Sequence, residues 1–322
     1  MTPEAVRLFQ HLADGAPING DRYAAAAGLG RAALSKQVEQ LRAAGLPVAA
    51  APGAEYRLAW PVELLDAAEI RRAGKLGDVG VEVAPLLDST NLALAARFRH
   101  RHALAAEYQT GGRGRRGRGW ISPPGCGICV SFGYRFEAGL RRLGPLSLVA
   151  GVVVAETVAD EGVAVGLKWP NDLVVEDRKL GGVLTEIRGA GEGPCNIVIG
   201  IGINVRLPRA DEVPDGCLPP DQPWIDLHAA GVQPPCRNRL AGRMIAALDA
   251  GCREFEHAGF EPFASRWAAL DALRGRPVRV WNDQDQAFEG IAEGVTRGGT
   301  LRVARQGEIA ELDAGEVSVR AR

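Results

Sequence analysis

The stretch that most narrows what this chain can fold into is Gln109-Thr110-Gly111-Gly112-Arg113-Gly114-Arg115-Arg116-Gly117-Arg118-Gly119-Trp120. Five glycines and four arginines occupy the nine positions from Gly111 to Gly119. Glycine at that density costs too much entropy for a helix or strand interior, so the segment is a loop. Apolar runs lie close on both sides, Ala103 to Tyr108 and Ile128 to Phe132, so the loop joins two buried elements. Arginine brings permanent charge and a forked donor set that suits carboxylate and phosphate. The expectation is a loop that is mobile when empty and closes over an anionic ligand. Gly112-x-Gly114-x-x-Gly117 also matches the dinucleotide fingerprint, but that loop must open straight into a helix. Ile121-Ser122-Pro123-Pro124-Gly125 cannot begin one. An RNA-binding arginine–glycine segment, or a merely solvated loop, would have low-complexity neighbours instead of these apolar runs.

The 322 residues leave room for two or three domains with a real core. A net charge of −1 argues for no bulk attraction to nucleic acid, so such a partner needs local evidence. No run of about 18 apolar residues occurs and the amino terminus lacks a signal-peptide core, so a cytoplasmic location and no membrane partner are expected. The six cysteines show no disulfide framework. Cys126-Gly-Ile-Cys129 falls in an expected strand, where an offset of three sends the two side chains to opposite faces. Only four of the 38 basic residues are lysines: Lys36, Lys75, Lys168 and Lys179. Where arginine is the default cation, a lysine is chosen for its compact ammonium.

Residues 1–60 predict helices at Pro3–Ala13, Asp21–Ala27 and Arg31–Ala44, then two strands within 47–58 broken at Pro52-Gly53. Gly28-Leu29-Gly30 gives a turn of helix-turn-helix length, so the unit resembles a winged helix-turn-helix. Its third helix offers Arg31, Lys36, Gln37, Gln40 and Arg42 to DNA, although six basic against five acidic groups is a weak footprint. A connecting helix is expected at Val62–Arg72. Beyond it come strands at Val81–Leu86, Ala103–Gln109 and Gly127–Phe136, a helix from Asn91, a long helix near Leu146–Ala159, and strands between Val165 and Asn204. Leu207 to Pro223 reads as a surface loop, followed by helices at Arg237–Glu256 and Pro262–Leu270. Short crossovers indicate a mixed or largely antiparallel sheet. Strands at 278–282, 287–295, 301–305 and 316–319, separated by tight turns, predict a small barrel. The fold class is thus multidomain α+β: a winged helix-turn-helix over 1–61, a mixed-sheet α/β catalytic domain over 62–272 and an SH3-like β-barrel over 273–322.

Three further clusters carry chemistry. Asp88-Ser89-Thr90-Asn91 sets small polar groups at a strand-to-helix junction, where a helix N-cap is the plainest role. Lys168-Trp169-Pro170-Asn171-Asp172 and Asp177-Arg178-Lys179-Leu180-Gly181-Gly182 frame a hairpin that presents two ammoniums beside carboxylates. Gly200-Ile201-Gly202-Ile203-Asn204 ends a buried strand at an amide.

In this order and combination the motifs resemble the bacterial biotin–protein ligases of the bifunctional ligase and biotin-operon repressor type, over nearly the whole chain. The resemblance implies ATP-dependent, AMP-forming activity of the biotin–[acetyl-CoA-carboxylase] ligase kind. Biotin and ATP would give biotinyl-adenylate, with Mg2+ offsetting phosphate charge, and the biotinyl group would pass to a lysine of a biotin carboxyl carrier protein. It also implies that Ser89, Thr90, Asn91 and Gln109 hold the ureido end of biotin, and that Gly112, Arg113, Gly114 and Arg115 close over the ligand. Lys179 would meet the biotin carboxylate, and Arg118 would meet phosphate. Trp120, Lys168, Asn171, Asn204 and Trp224 would serve ATP or the adenylate, Trp224 by stacking on adenine. Lys168 and Asp172 would serve the transfer step. No protein metal ligands are implied. An adenylate-bound homodimer would bind operator DNA through Arg31, Lys36, Gln37 and Gln40. Family members often carry larger or capping residues where this chain has Gly119 and Gly30. A lipoate–protein ligase, or a ligand-gated DNA-binding regulator with vestigial catalysis, are the alternatives.

Overall fold

The computed structural model describes residues 1–51, 55–137, 139–188, 193–214, 216–218, 223–234, 236–282, 287–314 and 317–321. Helices α1 (Pro3–Leu12), α2 (Gly20–Ala26) and α3 (Arg31–Ala43) pack around Leu8, Phe9, Leu12, Leu34, Val38 and Leu41. Thr2 caps α1 and Asn19 caps α2 through side-chain oxygens, whereas Gly30 leaves α3 with no side-chain cap. A three-stranded antiparallel sheet flanks them. β2 (Val48–Ala51) pairs with β3 (Glu55–Leu58), and β1 (Ile18–Asn19) adds to the other side of β3. The Pro52-Gly53 turn lies outside the described residues.

Helix α3 corrects the sequence reading at Gln37 and shows local contacts at Gln40 and Arg42. Gln37 is only 5% exposed and packs inward beside Leu34, Val38 and Leu41. Gln40 is half-buried and accepts a hydrogen bond from Thr2 N at 2.9 Å. Arg42 donates Nε and Nη2 to the Val48 carbonyl, fastening the helix to β2. Arg31 and Lys36 are exposed, with Arg31 paired to both oxygens of Asp21 at 2.8 and 2.9 Å.

The expected helix at 62–72 begins late, as α4 (Ala67–Gly74) capped by Asp66. The residues before it are drawn into hydrogen bonds elsewhere. Leu65 N donates to Glu107, Asp66 N donates to Asn238 Oδ1 at 2.8 Å, and Asn238 Nδ2 donates to Leu64 O at 2.8 Å. Arg237, almost fully buried, reaches Glu63 O and Gly127 O and pairs with Glu107 at 2.8 Å. This knot fixes the connection between the first unit and the second.

The central sheet contains β4 (Gly80–Ala84), β5 (His102–Ala106), β6 (Gly127–Phe136), β7 (Gly166–Lys168), β8 (Asp172–Val175), β9 (Arg178–Arg188) and β10 (Cys195–Asn204). Their spatial order is β4-β5-β6-β10-β9-β8-β7, with β4–β5 parallel and every other pair antiparallel. Helix α5 (Thr90–Ala96) follows β4, and α6 (Leu146–Ala159) follows β6. Helices α7 (Arg237–Ala258) and α8 (Glu261–Leu270) close the unit. The period-2 rule divides the two long strands cleanly. Ile128, Val130, Phe132, Ile199, Ile201 and Ile203 face the main core with α6 and α7. The opposite face holds α5, through Leu94 against Leu104 and Val198, and leaves a cavity at the sheet centre.

The last strands form an antiparallel sheet. These are β11 (Pro277–Asn282), β12 (Ala287–Val295), β13 (Leu301–Arg305), β14 (Glu308–Leu312) and β15 (Val317–Ala321), in the order β14-β13-β12-β11-β15. Strand β14 was not anticipated. The sequence reading ends a strand at Arg305, and Gln306 and Gly307, both at positive φ, turn the chain directly into this further strand. The inner residues Val278, Val280, Leu301 and Val303 join the main core.

Candidate active site

The cavity, of about 300 Å³, opens on the α5 face of the sheet. Its floor follows from the Gly-Ile-Gly-Ile-Asn alternation of β10. The isoleucines point into the main core, so Gly200 and Gly202 face the cavity. A Cβ on Gly200 would stand 2.3 Å from Asn91 Oδ1, and one on Gly202 would stand 2.4 Å from the Trp120 ring. Only glycine lets these side chains lie on the sheet.

One end is a buried polar pocket. Ser89, Thr90 and Asn91 are each at most 4% exposed. Gln109 Oε1 accepts from Thr90 N at 2.7 Å and from Thr90 Oγ1 at 3.1 Å. A backbone N–H can be met only by the amide oxygen, so Gln109 is left with Nε2 as a spare donor. Ser131 Oγ, fully buried on β6, lies 2.7 Å from Thr90 Oγ1 and also bonds Asn91 Oδ1. Ser131 escaped the sequence reading. Its signal is a lone hydroxyl on the glycine-facing side of an otherwise apolar strand.

The glycine–arginine loop is a small closed hairpin over this pocket. Gly112 contributes its carbonyl, which accepts from Trp120 N at 2.8 Å, and Gly114 N donates to Arg118 O at 2.7 Å. Arg113 pairs across to Gly119, and a 3-10 turn at Arg115–Gly117 holds Arg116 at φ 56°. Arg113 Nη1 bonds Glu186 Oε1 at 2.9 Å. Arg115 turns inward, with Nη1 3.4 Å from Asn171 Oδ1 and Nη2 on the Ala314 carbonyl of the last sheet. Burial pushes its guanidinium pKa down, with the nearby Asp172 opposing that shift. Arg118 is exposed at the rim.

The other end is built on β8 and β9. Lys179 Nζ pairs with Asp172 Oδ1 at 2.6 Å and lies 5.8 Å from the Trp120 ring centroid. Its backbone is held as well: Lys179 N donates to Pro223 O at 2.8 Å, and Ile225 N donates to Lys179 O at 3.0 Å. That short pairing places half-buried Trp224 in the cavity wall. Lys168 lines the same wall, and Trp169 beneath it donates Nε1 to Gly299 O at 3.0 Å. Asn171 Nδ2 donates to Val183 O at 2.7 Å. Asn204 Nδ2 is spent on Ile225 O at 3.1 Å, while its buried Oδ1 has no partner among the described residues.

The structure therefore brings together Ser89, Thr90, Asn91, Gln109, Arg113, Gly114, Arg115, Arg118, Trp120, Lys168, Asn171, Asp172, Lys179, Asn204 and Trp224 around one cavity. Gly112 lies behind the wall in the hairpin. The third-helix residues lie on the first unit, away from this cavity. Cys126 and Cys129 are both buried, and burial pushes their thiols up to about 12 and about 11, which leaves them protonated and inert at neutral pH. Among the described residues no group of three or more His, Cys, Asp or Glu side chains could hold a metal ion. A cavity with hydrogen-bonding groups at one end and arginines and lysines at the other suits a ligand that is polar at its head and anionic at its tail.

The sequence model of the Biotin/lipoate A/B protein ligase family matches residues 83–204, the span from β4 to Asn204. The bifunctional ligase/repressor BirA of Escherichia coli (strain K12) is 39% identical over 319 residues, covering 98% of this chain and 97% of its own. The Salmonella typhimurium protein of the same name is 40% identical, covering 99% and 98%. A biotin–[acetyl-CoA-carboxylase] ligase of Mycobacterium tuberculosis is 34% identical, covering 66% of this chain and 77% of its own. Among solved structures, the biotin protein ligase of Aquifex aeolicus in complex with biotin and ATP superposes with a TM-score of 0.63 at 24% identity, covering 76% of this chain and 99% of that one.

Proposed function

Because this chain belongs to the family of bifunctional biotin ligase/repressors, we propose that its cavity joins biotin to ATP and passes biotin to a carrier lysine. It is a biotin–[acetyl-CoA-carboxylase] ligase, and the observation that carries this reading is the two-ended cavity itself. At the polar end Asn91 and Gln109 offer an acceptor and a donor, the pattern a cyclic urea needs. At the other end Arg115 and Lys179 face the place where a carboxylate must approach a triphosphate. Two anions repel, and fixed cations there stabilise the crowded transition state more than either separated reactant.

In the first step a biotin carboxylate oxygen attacks the α-phosphorus of ATP and pyrophosphate leaves. Lys179 holds the carboxylate and then the acyl oxygen of the mixed anhydride. Arg118, exposed at the rim, meets the departing phosphates, and Trp224 stacks on adenine. In the second step the carrier amine attacks the acyl carbonyl, an amide forms and AMP leaves. Asp172, beside Lys179, orients that amine, with Lys168 nearby. Mg2+ offsets phosphate charge when bound. Asn204 Oδ1, which has no partner among the described residues, would suit Mg2+ held mainly by the phosphates.

We take residues 1–61 as a winged helix-turn-helix, 62–272 as the catalytic domain and 273–322 as an SH3-like domain that contributes Ala314 and Val319 to the cavity region. The repressor half of the function rests on Arg31 and Lys36 of the exposed α3 surface, on operator DNA and on a homodimer that forms with adenylate. A cytoplasmic setting, where ATP and carrier are at hand, goes with this reading. Biotin-dependent exchange of labelled pyrophosphate into ATP, followed by transfer to a carrier domain, is the test. Exchange driven by lipoate, or none with biotin, would overturn the ligase assignment.

A further inference from the structure

Glu186 is not among the residues that line the cavity, but it holds Asn91, which is. Asn91 Nδ2 lies 2.8 Å from Glu186 Oε2 and 3.3 Å from the Leu184 carbonyl. A carboxylate and a carbonyl can only accept, so the atom between them must be the amide nitrogen, and both its hydrogens are spent. Asn91 Oδ1 is thereby turned to the other side, over Gly200, where Ser131 Oγ bonds it. One lone pair remains for a ligand. The second carboxylate oxygen, Glu186 Oε1, accepts from Arg113 Nη1 at 2.9 Å.

We propose that Glu186 is a specificity-determining positioning residue: it locks Asn91 as a hydrogen-bond acceptor, so that the subsite demands a ligand N–H, and it ties the covering loop to the same side chain. This rests on the biotin reading of the pocket and adds to it the polarity of one contact. A urea presents two N–H groups, one of which meets Asn91 Oδ1. In Glu186→Gln a single amide oxygen replaces two carboxylate oxygens. Arg113, which can only donate, takes that oxygen, and the new NH2 faces Asn91 Nδ2. Asn91 must then turn over, setting N–H against the ligand's N–H.

The experiment measures dissociation constants by calorimetry for biotin and the two isomeric derivatives of it methylated on one or the other ureido nitrogen. It uses the full chain as wild type, Glu186→Gln and Arg113→Gln, with thermal unfolding followed in parallel. One methyl isomer should bind wild type at least about tenfold more weakly than biotin, since the acceptor loses its partner. Glu186→Gln should weaken biotin at least about tenfold and shrink that methyl penalty to about twofold. Arg113→Gln releases the loop but leaves Glu186 on Asn91, so the penalty should persist. Wild type that binds biotin and both methyl isomers equally overturns the proposal without any variant. So does Glu186→Gln with an undiminished penalty, or Arg113→Gln that abolishes it. Wild type that binds no biotin overturns the ligase reading beneath it, an outcome distinct from the others.

Discussion

Lys179 is held at both ends, its ammonium by Asp172 and its peptide by Pro223 and Ile225. A cation fixed in this way needs little rearrangement when charge develops, the condition under which electrostatic stabilisation is largest. Lys179→Ala should lower the adenylation rate by about 10²–10³, in line with ~3–4 kcal/mol for one well-placed donor. Lys179→Arg should recover little, because a broad planar guanidinium replaces the compact ammonium that sits beside Asp172. Single-turnover pyrophosphate release measures both; wild-type rates in either variant would remove Lys179 from the chemistry. Trp224 stands next to that lysine through the same short pairing. Trp224→Ala should raise the KM for ATP about tenfold while changing that for biotin by less than about twofold, as expected for the loss of one aromatic face. Equal changes in both constants would assign Trp224 to holding Lys179 in place instead.

At the scale of elements, the glycine–arginine hairpin closes on itself through a few backbone bonds, and Gly111, Arg113, Arg115 and Trp120 are among the residues that contact other elements. Its order without ligand works against the entropy that five glycines lose when fixed. Amide exchange across 110–120 should slow at least about tenfold when biotin and ATP are added, and much less elsewhere. Unchanged exchange would mean that the hairpin is already rigid. The elements themselves were legible where periodicity ran long. Strand β6 and helix α6 begin and end where their apolar patterns do, because ten and fourteen residues of consistent burial leave no other register. Two-residue β1 carries no such pattern, and β14 has no buried residue to mark a face. The late start of α4 could not be read either, since it depends on Glu107 and Asn238, far away in sequence. The site shows the same division. The glycine loop and the lysine motifs announce themselves as composition, whereas Ser131 and Glu186 are ordinary strand residues whose importance comes from what lies opposite. Gln37 reads as a polar residue on a recognition helix. Only the packing of α1 against α3 shows that it points inward.

For the molecule as a whole, one prediction concerns the pair of functions. A single α3 surface of this size is too small for tight specific binding, and a two-fold dimer would present two. Sedimentation with biotin and ATP should show tighter dimerisation, with adenylate and dimer coupled by ~1–3 kcal/mol. Binding to a palindromic site should follow only then. Lys36→Gln should weaken that binding and lower its salt slope by about one. A monomer indifferent to adenylate, with no sequence preference, would leave the first unit without a regulatory role.

The knot around Arg237 bears on how such a dimer would meet its operator. Phe9 and Val62 press on Gly125, where a Cβ would come within 2.8 Å of either side chain. Glu107 and Arg237 grip the residues on either side of Leu64. Helix α3 is thus carried on a stiff arm, not on a tether. In a symmetric pair the distance between the two helices would be set where the central domains touch, and the number of base pairs between operator half-sites becomes a ruler for that contact. Lengthening the arm after Trp60 by a few flexible residues should relax the spacing the protein tolerates, at a cost in affinity, while pyrophosphate exchange continues. Operators with one to three base pairs added between half-sites would read the difference directly.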